Sequence, residues 1–470
     1  SDQEFKGVNA FDWSGKNGFP EIMNAGGYDC VIGNPPYVRQ EMLSEYKEYF
    51  QSHFKVYHGV ADLYAYFIER GVSLIKPGGR FSYIVANKWM RANYGGPLRD
   101  FLLKSGIAEI IDFGDLQVFQ DATTYPCIIT VVKGATGSFN ASKVDDLDFI
   151  DLRTYLEGKR FTVSPTSLND EGWSLSDEKT AKLLEKIRSK GVPLGEYVGG
   201  KIYYGIKTGL NEAFVIDAET KDRLIKEDPK SKEIIKPFLA GRDIKRYETP
   251  VADKYLILIP KGWTNKKCGG KNAWDCFYGT YPAIAKHLQA YEDKAKARYD
   301  KGEYWWELRE CAYYDEFEKP KIFWPEIAQS ARFTYDVHNL YSNNKAYIIP
   351  DVDIYLLGLL NSKLMKFFIH TNCTDLQGDS YNFSAIFVQR SPIIDLKNSN
   401  PKDAINDKVE DLVGQIIVAY AMLRDTKSQT EKESLRKKAD LLDRQIDDLV
   451  YALYGLTEDD IRTVEKRDEN

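Results

Sequence analysis

The feature that most constrains this chain is an apolar run, residues 28–33, that ends abruptly in Asn34-Pro35-Pro36-Tyr37. Proline has a fixed φ and no N–H to donate, so a central strand cannot continue through two prolines. The pattern therefore predicts a buried parallel strand closed by a rigid loop. Ligands of open α/β sheets bind beyond the carboxyl ends of the strands, so this loop is a candidate functional site.

The residue types in this loop suit one kind of chemistry, methylation of an exocyclic amine. The lone pair of such an amine is delocalised into the ring, and accepting both of its protons in hydrogen bonds frees that lone pair for attack. The side-chain oxygen of Asn34 and a neighbouring backbone carbonyl can accept these protons. An aromatic residue directly after them can stack on a base that has left the duplex. The alternative interpretation is a strand and a Pro-Pro turn that contains Asn by chance.

Beyond this loop the sequence alternates helical and strand patterns. We predict helices over 62–75 and 97–104, and strands over 80–86, 107–113 and 127–132. An alternating order of strands and helices is typical of a doubly wound parallel sheet. The predicted class for the first part is therefore α/β.

The length of the chain suggests two or three domains, because 470 residues are too many for one hydrophobic core. We predict a first domain over 1–150, a linker with an amphipathic helix over 151–190, a mixed α+β domain over 191–397, and a helical hairpin with an acidic tail over 398–470. The hairpin follows from two apolar stripes at helical spacing around the polar residues 425–430.

Charge is distributed unevenly along the chain. The formal net charge is −6, which argues against a simple basic protein that coats DNA. Residues 201–310 hold 22 Lys and Arg against 17 Asp and Glu, whereas residues 401–470 hold 12 against 17. Any contact with nucleic acid is therefore expected before the acidic tail.

The chain shows no pattern typical of a membrane-spanning or secreted protein. No apolar run approaches the roughly 18 residues of a membrane helix, and the first residues do not resemble a signal peptide. We therefore expect a cytoplasmic protein. The cysteines form no C-x-x-C pair, and no histidine or further cysteine lies at zinc spacing from Cys268 and Cys276. We expect no metal site and reduced thiols.

Residues 26–38, with Asn-Pro-Pro-Tyr inside them, resemble the catalytic motif of the gamma-class adenine-N6 DNA methyltransferases. Residues 61–64 and 77–80 look like the helix and strand that follow that motif. Residues 123–126 look like a late motif whose aromatic residue contacts the target base. The resemblance implies a Rossmann-like methyltransferase sheet.

Later segments resemble the DNA-reading part of the same enzymes. Residues 205–211 and 237–244 resemble the TaqI-like C-terminal target-recognition domain. Residues 358–363 and 449–456 look like stretches of the type IIG restriction–modification enzymes and related phage-defence methyltransferases. The resemblance spans nearly the whole chain and implies duplex DNA as the partner.

By this resemblance, the side chain of Asn34 and the carbonyl of Pro35 hold the target amine, and Tyr37 stacks on the adenine. Tyr125 is implied as a second contact to the base. The alternative for Tyr125 is a core tyrosine beside the strand over 127–132.

The family binds S-adenosylmethionine through a Gly-rich loop and an acidic residue that both precede the Asn-Pro-Pro-Tyr strand. Only 33 residues precede Asn34, and residues 9–13 do not form a strand, a Gly-x-Gly turn and a helix. We therefore expect the second half of the sheet without the first, either as an N-terminally truncated piece or with a separate subunit as partner. The chain alone is expected not to methylate DNA.

Target recognition requires cations for phosphates and polar groups for base edges. The DNA-contact candidates in or beside the family-like motifs are Lys201, Lys207, Thr208, Asn211, Arg242, Lys245 and Arg246. For the cations among them, a surface charge that contacts only solvent is the alternative. Other candidates are the aromatic residues 304–306, for which core packing is the alternative, and three lysines in a Gly-containing loop, Lys261, Lys266 and Lys267.

The sequence leaves two functions open. The first is a site-specific adenine-N6 DNA methyltransferase of a restriction–modification system. The alternative is a DNA sequence-specificity module of a type IIG restriction endonuclease, whose nuclease would lie upstream.

Overall fold

The computed structural model describes residues 11–120, 124–168, 172–269, 272–376, 380–396 and 403–468. The chain divides into two compact units. Unit 1 comprises Ser1–Glu185 with Thr371–Asp379, and unit 2 comprises Lys186–His370 with Ser380–Asn470.

Unit 1 is built on a six-stranded sheet within its described residues. Its strands are β1 (Tyr28–Gly33), β2 (Ile75–Ala86), β3 (Ile107–Asp112), β4 (Pro126–Val132), β5 (Phe139–Lys143) and β6 (Phe161–Val163). The first α-helices of the chain are α1 (Pro20–Asn24), α2 (Lys47–His53), α3 (Leu63–Leu74), α4 (Gly96–Ser105), α5 (Leu152–Leu156) and α6 (Glu178–Arg188). The boundary between the units, after Glu185, lies within α6.

The strand order of this sheet is β1-β2-β4-β3-β5-β6. β1 is parallel to β2, but β4 is antiparallel to both β2 and β3, and β6 is antiparallel to β5. The α/β class is confirmed, but the predicted doubly wound parallel sheet is wrong in strand direction, because the sheet is mixed. The physical reason is the connection before β4: its described residues 113–120 and 124–125 form no helix, whereas a parallel neighbour requires a long crossover.

Helices α3 and α4 form where the apolar spacing predicted them. Ile68 of α3 and Leu98 and Leu102 of α4 are almost completely buried in the core of unit 1. Burial of each such side chain contributes about 1.5–3 kcal/mol. Pro97 lies in the first turn of α4, and Gly106 ends the helix with a φ of 95°, which glycine adopts without strain.

The strands after α6 are β7 (Val192–Pro193), β8 (Tyr203–Tyr204), β9 (Val215–Asp217), β10 (Ile235–Leu239), β11 (Lys254–Ile257), β12 (Lys321–Pro325), β13 (Ile327–Ala328), β14 (Thr334–Asp336), β15 (Tyr341–Ser342), β16 (Ala346–Pro350), β17 (Thr374–Leu376), β18 (Ser380–Asn382) and β19 (Pro392–Ile393).

The α-helices after α6 are α7 (Leu194–Tyr197), α8 (Asn211–Phe214), α9 (Ala218–Glu227), α10 (Trp263–Cys268), α11 (Ala273–Thr280), α12 (Pro282–Gln289), α13 (Glu292–Ala297), α14 (Ile354–Asn361), α15 (Lys363–Asn372), α16 (Ala385–Val388), α17 (Asp403–Asp425), α18 (Gln429–Tyr454) and α19 (Glu458–Asp468).

Unit 2 contains two four-stranded sheets in its described part, with the orders β15-β10-β11-β9 and β14-β12-β16-β8. Helices α10 to α13 occupy most of residues 263–297, where no individual helix was predicted from the sequence. Lys266 and Lys267, which were expected in a Gly-containing loop, lie on α10. The mixed α+β class predicted for this part is confirmed.

The C-terminal hairpin is also confirmed. Helices α17 and α18 flank a short turn at residues 426–428, inside the predicted polar segment. Gly358 of α14 lies against Val409 and Val413 of α17, and a Cβ at residue 358 would lie 2.8 Å and 2.9 Å from their side chains. The hairpin thus packs closely on α14. No helix in the described residues is long and apolar enough to cross a membrane.

The expectation of reduced thiols is wrong for two cysteines. Cys268, the last residue of α10, and Cys276 of α11 form a disulfide. Their Cα atoms lie 6.0 Å apart, which is within the range that a disulfide requires. The described cysteines outside this pair form no disulfide, and Cys127 among them is buried.

Candidate functional site

The Asn-Pro-Pro-Tyr loop begins directly at the carboxyl end of β1. Asn34 and Pro36 are exposed, Pro35 is buried, and Tyr37 is half-buried. Among the described residues the side-chain amide of Asn34 has no hydrogen-bond partner. Its oxygen and its neighbour's carbonyl are therefore presented by a segment whose φ angles the two prolines restrict.

Tyr37 anchors the loop to the sheet. Its hydroxyl donates a hydrogen bond of 3.2 Å to the carbonyl oxygen of Ile84 in β2. Its ring meets the ring of Phe119 edge-on, with centroids 6.2 Å apart. Burial, with a smaller contribution from Cys127, raises the pKa of Tyr37 to about 12. The phenol is therefore neutral at physiological pH, and its ring is held beside the loop.

The start of α3 holds the residues that follow Tyr37. The backbone N–H of Leu63 donates to the carbonyl oxygen of Val38 at 3.0 Å. The carboxylate of Asp62 accepts a hydrogen bond of 3.1 Å from the backbone N–H of Gln40. Burial raises the pKa of Asp62, which is half-buried. Two hydrogen bonds thus connect the loop to the helix.

Tyr125 lies just before β4, near the carboxyl end of β2. Its carbonyl oxygen accepts a hydrogen bond of 2.7 Å from the backbone N–H of Asn87, the residue after β2. The side chain of Asn87 in turn donates to Asp112 at the end of β3, at 2.8 Å. Sequence reasoning missed the Asn87–Asp112 pair, although each residue lies where an apolar strand ends. Thr123 of the late motif lies outside the described residues, and base contact by Tyr125 stays a prediction.

The described residues ahead of β1 do not fit a methyl donor. Residues 11–27 consist of turns and the short helix α1, without a Gly-rich turn between a strand and a helix. On its other edge β1 has no partner strand in the described part of the chain, and Ile32 is 81% exposed. Across all described residues, no group of three or more His, Cys, Asp or Glu side chains could hold a metal ion.

In unit 2, the turn after β8 is fixed from inside. Thr208 is 2% exposed, and its hydroxyl donates to the side-chain oxygen of Asn211 at 2.6 Å. The buried guanidinium of Arg298 donates to the carbonyl oxygens of Thr208, Trp305 and Glu307, at 2.5, 2.6 and 2.9 Å. Thr208 therefore shapes the turn, whereas Asn211 lies at its exposed end.

The predicted cations of unit 2 have different surroundings. Lys201 is exposed, Lys207 pairs with Asp300 at 2.9 Å, and Lys245 pairs with Glu248 at 3.2 Å. Arg246 is directed inward.

The guanidinium of Arg246 donates to the carbonyl oxygen of Asn361 at 2.6 Å and to the carboxylate of Asp443 at 2.7 Å. It also lies 4.6 Å from the ring centroid of Tyr247. Arg246 therefore links α14 to α18. DNA contact by Arg246 stays a prediction that these contacts do not support.

The two family-like motifs of unit 2 meet in one cleft with a volume of about 550 Å³. It is lined by Asn211 from the first motif, by Phe238 and Arg242 from the second, and by residues that sequence reasoning missed. These are Lys254 of β11 and Asn343 and Lys345 of the β15–β16 turn. A polar Asn-Asn-Lys turn between two apolar strands was the available signal for the last two.

Backbone contacts around two glycines hold the cleft together. A Cβ on Gly205 would overlap the carbonyl oxygen of Asn343, and a Cβ on Gly241 would overlap that of Lys345. The backbone N–H of Asn343 donates to the carbonyl oxygen of Leu239 at 3.1 Å. The three segments are thus interlocked through their main chains, which positions the side chains that line the cleft.

Arg242 projects from this frame. It lies in a 3-10 turn, Gly241–Asp243, in which the carboxylate of Asp243 accepts a hydrogen bond of 3.0 Å from the backbone N–H of Ala240. The Arg242 side chain is 86% exposed, and its Nε lies 3.8 Å from the Asp243 carboxylate. The backbone is therefore fixed, while the guanidinium remains accessible.

The aromatic residues 304–306 belong largely to the core. Trp306 is 4% exposed and stacks on Tyr304 and Phe277, with ring centroids 4.8 and 5.7 Å apart. Its indole N–H donates to the hydroxyl of Thr264 at 3.0 Å. Packing, the alternative given for this cluster, is therefore what the structure shows for Trp306.

Two regions of the chain match models of known families. Residues 1–119 match the Eco57I restriction-modification methylase family, and residues 236–393 match the TaqI-like C-terminal specificity domain. The chain is 26% identical over 405 residues to the Type II methyltransferase M.PaeR7I of Pseudomonas aeruginosa, covering 80% of this chain and 66% of the relative. It is 25% identical over 424 residues to M.BstVI of Geobacillus stearothermophilus, covering 83% and 71%.

The fold is shared with a solved structure. The Type IIL restriction-modification enzyme MmeI, solved in complex with DNA, superposes with a TM-score of 0.63 at 16% identity. The match covers 93% of this chain and 56% of MmeI. The chain thus spans about two thirds of the length of M.PaeR7I and just over half that of MmeI.

Proposed function

Because the chain joins sequence of the Eco57I restriction-modification methylase family to a TaqI-like C-terminal specificity domain, we propose that it takes part in site-specific methylation of adenine N6 in duplex DNA. Unit 1 holds the flipped adenine, and unit 2 reads the DNA sequence. The restriction–modification context of the relatives is extended to this chain as part of the same proposal.

One observation carries the proposal, namely the exposure of Asn34 in a loop that is otherwise anchored. The side-chain amide has no partner in the described residues, while Tyr37 and the start of α3 fix the segment behind it. An exposed amide on a surface loop is usually mobile. Here prolines and hydrogen bonds restrict the backbone that carries the amide, which is part of the preorganisation that an amine-holding site requires.

In the proposed reaction the adenine leaves the duplex, and Asn34 and the carbonyl of Pro35 accept hydrogen bonds from its two N6–H groups. The amine nitrogen becomes more tetrahedral, and its lone pair becomes available to a methyl group. The neutral ring of Tyr37 stacks on the base and excludes water from one face. S-adenosylmethionine would supply the methyl group, and the described residues ahead of β1 form no site for it.

Base flipping tests the adenine-holding role directly. The full chain first selects its preferred sequence from a library of randomised duplexes, and 2-aminopurine then replaces each adenine of that sequence in turn. Flipping unstacks the probe, so we expect fluorescence to rise on binding at one position. In Tyr37→Ala the emission at that position should change further, because the aromatic ring no longer stacks on the probe.

Asn34→Ala is the matched variant for the amine contacts. It removes an exposed side chain without partners in the described residues, so the fold should remain. Because 2-aminopurine carries its amino group at C2 and not at C6, the amine contacts are read from binding instead. The wild type should prefer adenine over unsubstituted purine at the flipped position, and Asn34→Ala should lose that preference. Unchanged fluorescence at every adenine of the bound sequence would overturn the proposal.

The described residues provide no cradle for the methyl donor, so we expect this chain alone not to transfer methyl groups. The check is incubation with duplex DNA and radiolabelled S-adenosylmethionine, followed by nucleoside analysis. Label in N6-methyladenine would contradict the inactivity of the chain alone and would support the proposed reaction. Label in another nucleoside would contradict the choice of adenine.

A second candidate function is a DNA sequence-specificity module of a type IIG restriction endonuclease. The observation in its favour is the cleft of unit 2, which is fully assembled, whereas the edge of β1 has no partner strand in the described residues. The two functions differ in the 2-aminopurine experiment. A specificity module binds its sequence without flipping an adenine.

A further inference from the structure

The charge of the unit 2 cleft points to a ligand rich in acceptors. Arg242, Lys254 and Lys345 line it, and Glu212 is the carboxylate residue among the residues that line it. Glu212 is already neutralised by Lys294, at 2.9 Å. The cleft therefore presents an excess of positive charge, which suits phosphates and the acceptor edges of bases.

The three cations of the cleft differ in how available they are. Lys345 forms an ion pair of 2.8 Å with Glu326. Lys254 is exposed, and no ion pair within 4 Å involves it in the described structure. Arg242 is 86% exposed, with a carboxylate contact of only 3.8 Å to its sequence neighbour Asp243. Arg242 and Lys254 are thus the accessible donors.

The chemistry of these two side chains assigns them different tasks. The guanidinium of Arg242 is a planar fork that donates two parallel hydrogen bonds, as O6 and N7 of guanine require. The ammonium of Lys254 is a point charge on a flexible stem, which suits a phosphate. A side chain that reads a base edge must also start from a rigid backbone.

Arg242 meets this requirement. The hydrogen bond from the backbone N–H of Ala240 to the carboxylate of Asp243 closes its turn. Gly241 packs so closely on the backbone of Lys345 that there is no space for a Cβ. The neighbouring turn is equally fixed by Gly205 against Asn343. The position of the fork relative to the cleft is therefore determined by interlocked main chains.

We propose that Arg242 is a specificity-determining residue that reads a guanine in the major groove, while Lys254 contacts the phosphate backbone beside it. This inference rests on the proposed function for duplex DNA as the partner. It goes further in assigning one base type to one side chain.

The test is selection from a randomised duplex library by the full chain, followed by binding measurements on the enriched sequence and its single-base variants. The wild type is expected to enrich at least one invariant guanine. At that position Arg242→Lys, which keeps the charge but loses the fork, should lose the discrimination of about 5- to 150-fold that a bidentate contact provides. Discrimination at the other positions should persist.

Lys254→Ala should weaken binding to all sequences by the same factor and lower the slope of log K against log salt concentration by about one. Arg436→Lys is the matched control for Arg242→Lys, since Arg436 is exposed on α18 and does not line the cleft. It should leave both preference and salt slope unchanged. An unfolding curve for each variant confirms that the fold is retained.

Each contrary result overturns the inference. Enrichment of no sequence does so, as does an Arg242→Lys variant that keeps the wild-type preference at every position. An Arg242→Ala variant that weakens all sequences alike assigns Arg242 to a phosphate instead. Failure of the proposed function has a different signature, because a sequence enriched through Arg242 without any flipped adenine leaves the inference intact and removes the methylation role.

Discussion

The loop after β1 and the cleft of unit 2 are held in place in different ways. The loop is a contiguous piece of sequence, and separate hydrogen bonds to Ile84 and Asp62 and from Leu63 attach it to its surroundings. The cleft is assembled from distant segments whose main chains interlock at Gly205 and Gly241. One site is thus local and tethered, whereas the other is long-range and interlocked.

This difference has an energetic consequence. A tether can be removed at the cost of one hydrogen bond, typically about 0.5–1.5 kcal/mol. An interlocked backbone cannot move without displacing its neighbours, because packed interiors have little free volume. Substitutions at the cleft frame should therefore cost stability, while substitutions at the loop should chiefly change local order.

The largest expected effect is at Gly205. Gly205→Ala is expected to lower the free energy of unfolding of unit 2 by about 3 kcal/mol, because the new Cβ meets backbone atoms of Asn343 that have no room to shift. Gly33→Ala, at the end of β1, should cost only about 1 kcal/mol, since its Cβ meets the ring of Tyr83, which can rotate. Urea unfolding measures both.

Gly414→Ala provides the control for these glycine variants. Nothing lies within 4 Å of a Cβ at this position of α17, so alanine should be neutral or should stabilise the helix by up to about 1 kcal/mol. Equal losses for Gly205→Ala and Gly33→Ala would contradict the distinction between an interlocked and a tethered site.

The next effect separates two arginines of the same motif. Arg246→Ala is expected to cost about 2 kcal/mol, because it removes the hydrogen bonds to Asn361 and Asp443 and leaves a partly buried carboxylate unpaired. Arg242→Ala should change stability by less than about 0.5 kcal/mol, since that side chain is exposed. Thermal unfolding of the two variants tests this, and equal losses would show that the inward contacts of Arg246 add nothing.

A smaller effect is expected where α3 holds the loop. Asp62→Ala removes the acceptor of the Gln40 N–H and should cost about 1 kcal/mol. Hydrogen exchange at that amide should accelerate about fivefold. Glu45→Ala, an exposed carboxylate in the same segment, should leave the exchange rate unchanged. Protection of Gln40 that survives Asp62→Ala would mean that another group holds the loop.

The smallest effect is expected at the hydroxyl of Tyr37. Tyr37→Phe removes one hydrogen bond to the carbonyl of Ile84 and should cost about 0.5 kcal/mol, while the ring keeps its contact with Phe119. Tyr46→Phe, a partly exposed tyrosine of the same unit, should not change stability. A loss above about 2 kcal/mol for Tyr37→Phe would show that the loop depends on this single anchor.

Local periodicity in the sequence predicted elements but not their directions. The helix expected over 62–75 is Leu63–Leu74, and the strand expected over 127–132 is Pro126–Val132. That strand proved antiparallel to both of its neighbours. A buried strand has the same apolar pattern in either direction, so its direction is determined by the connection before it, which local patterns do not describe.

The same reasoning explains what could be predicted of the two sites. Asn34 and Tyr37 lie in one motif, so their proposed roles could be predicted without any knowledge of the fold. Lys254 and Asn343 join Arg242 only because a sheet brings β10, β11 and β15 together. The disulfide between Cys268 and Cys276 was missed for a similar reason. The two helices that bring their Cα atoms to 6.0 Å were not predicted from the sequence.

The glycine-locked frame of the cleft also has an evolutionary consequence. Gly205 and Gly241 fix the main chain, and the exposed side chain of Arg242 contributes little to that frame. Selection can therefore exchange the residue at position 242 without first compensating for lost stability. Under the proposed role of Arg242, such a chain can acquire a new DNA target by a single codon change, while its fold is inherited unaltered.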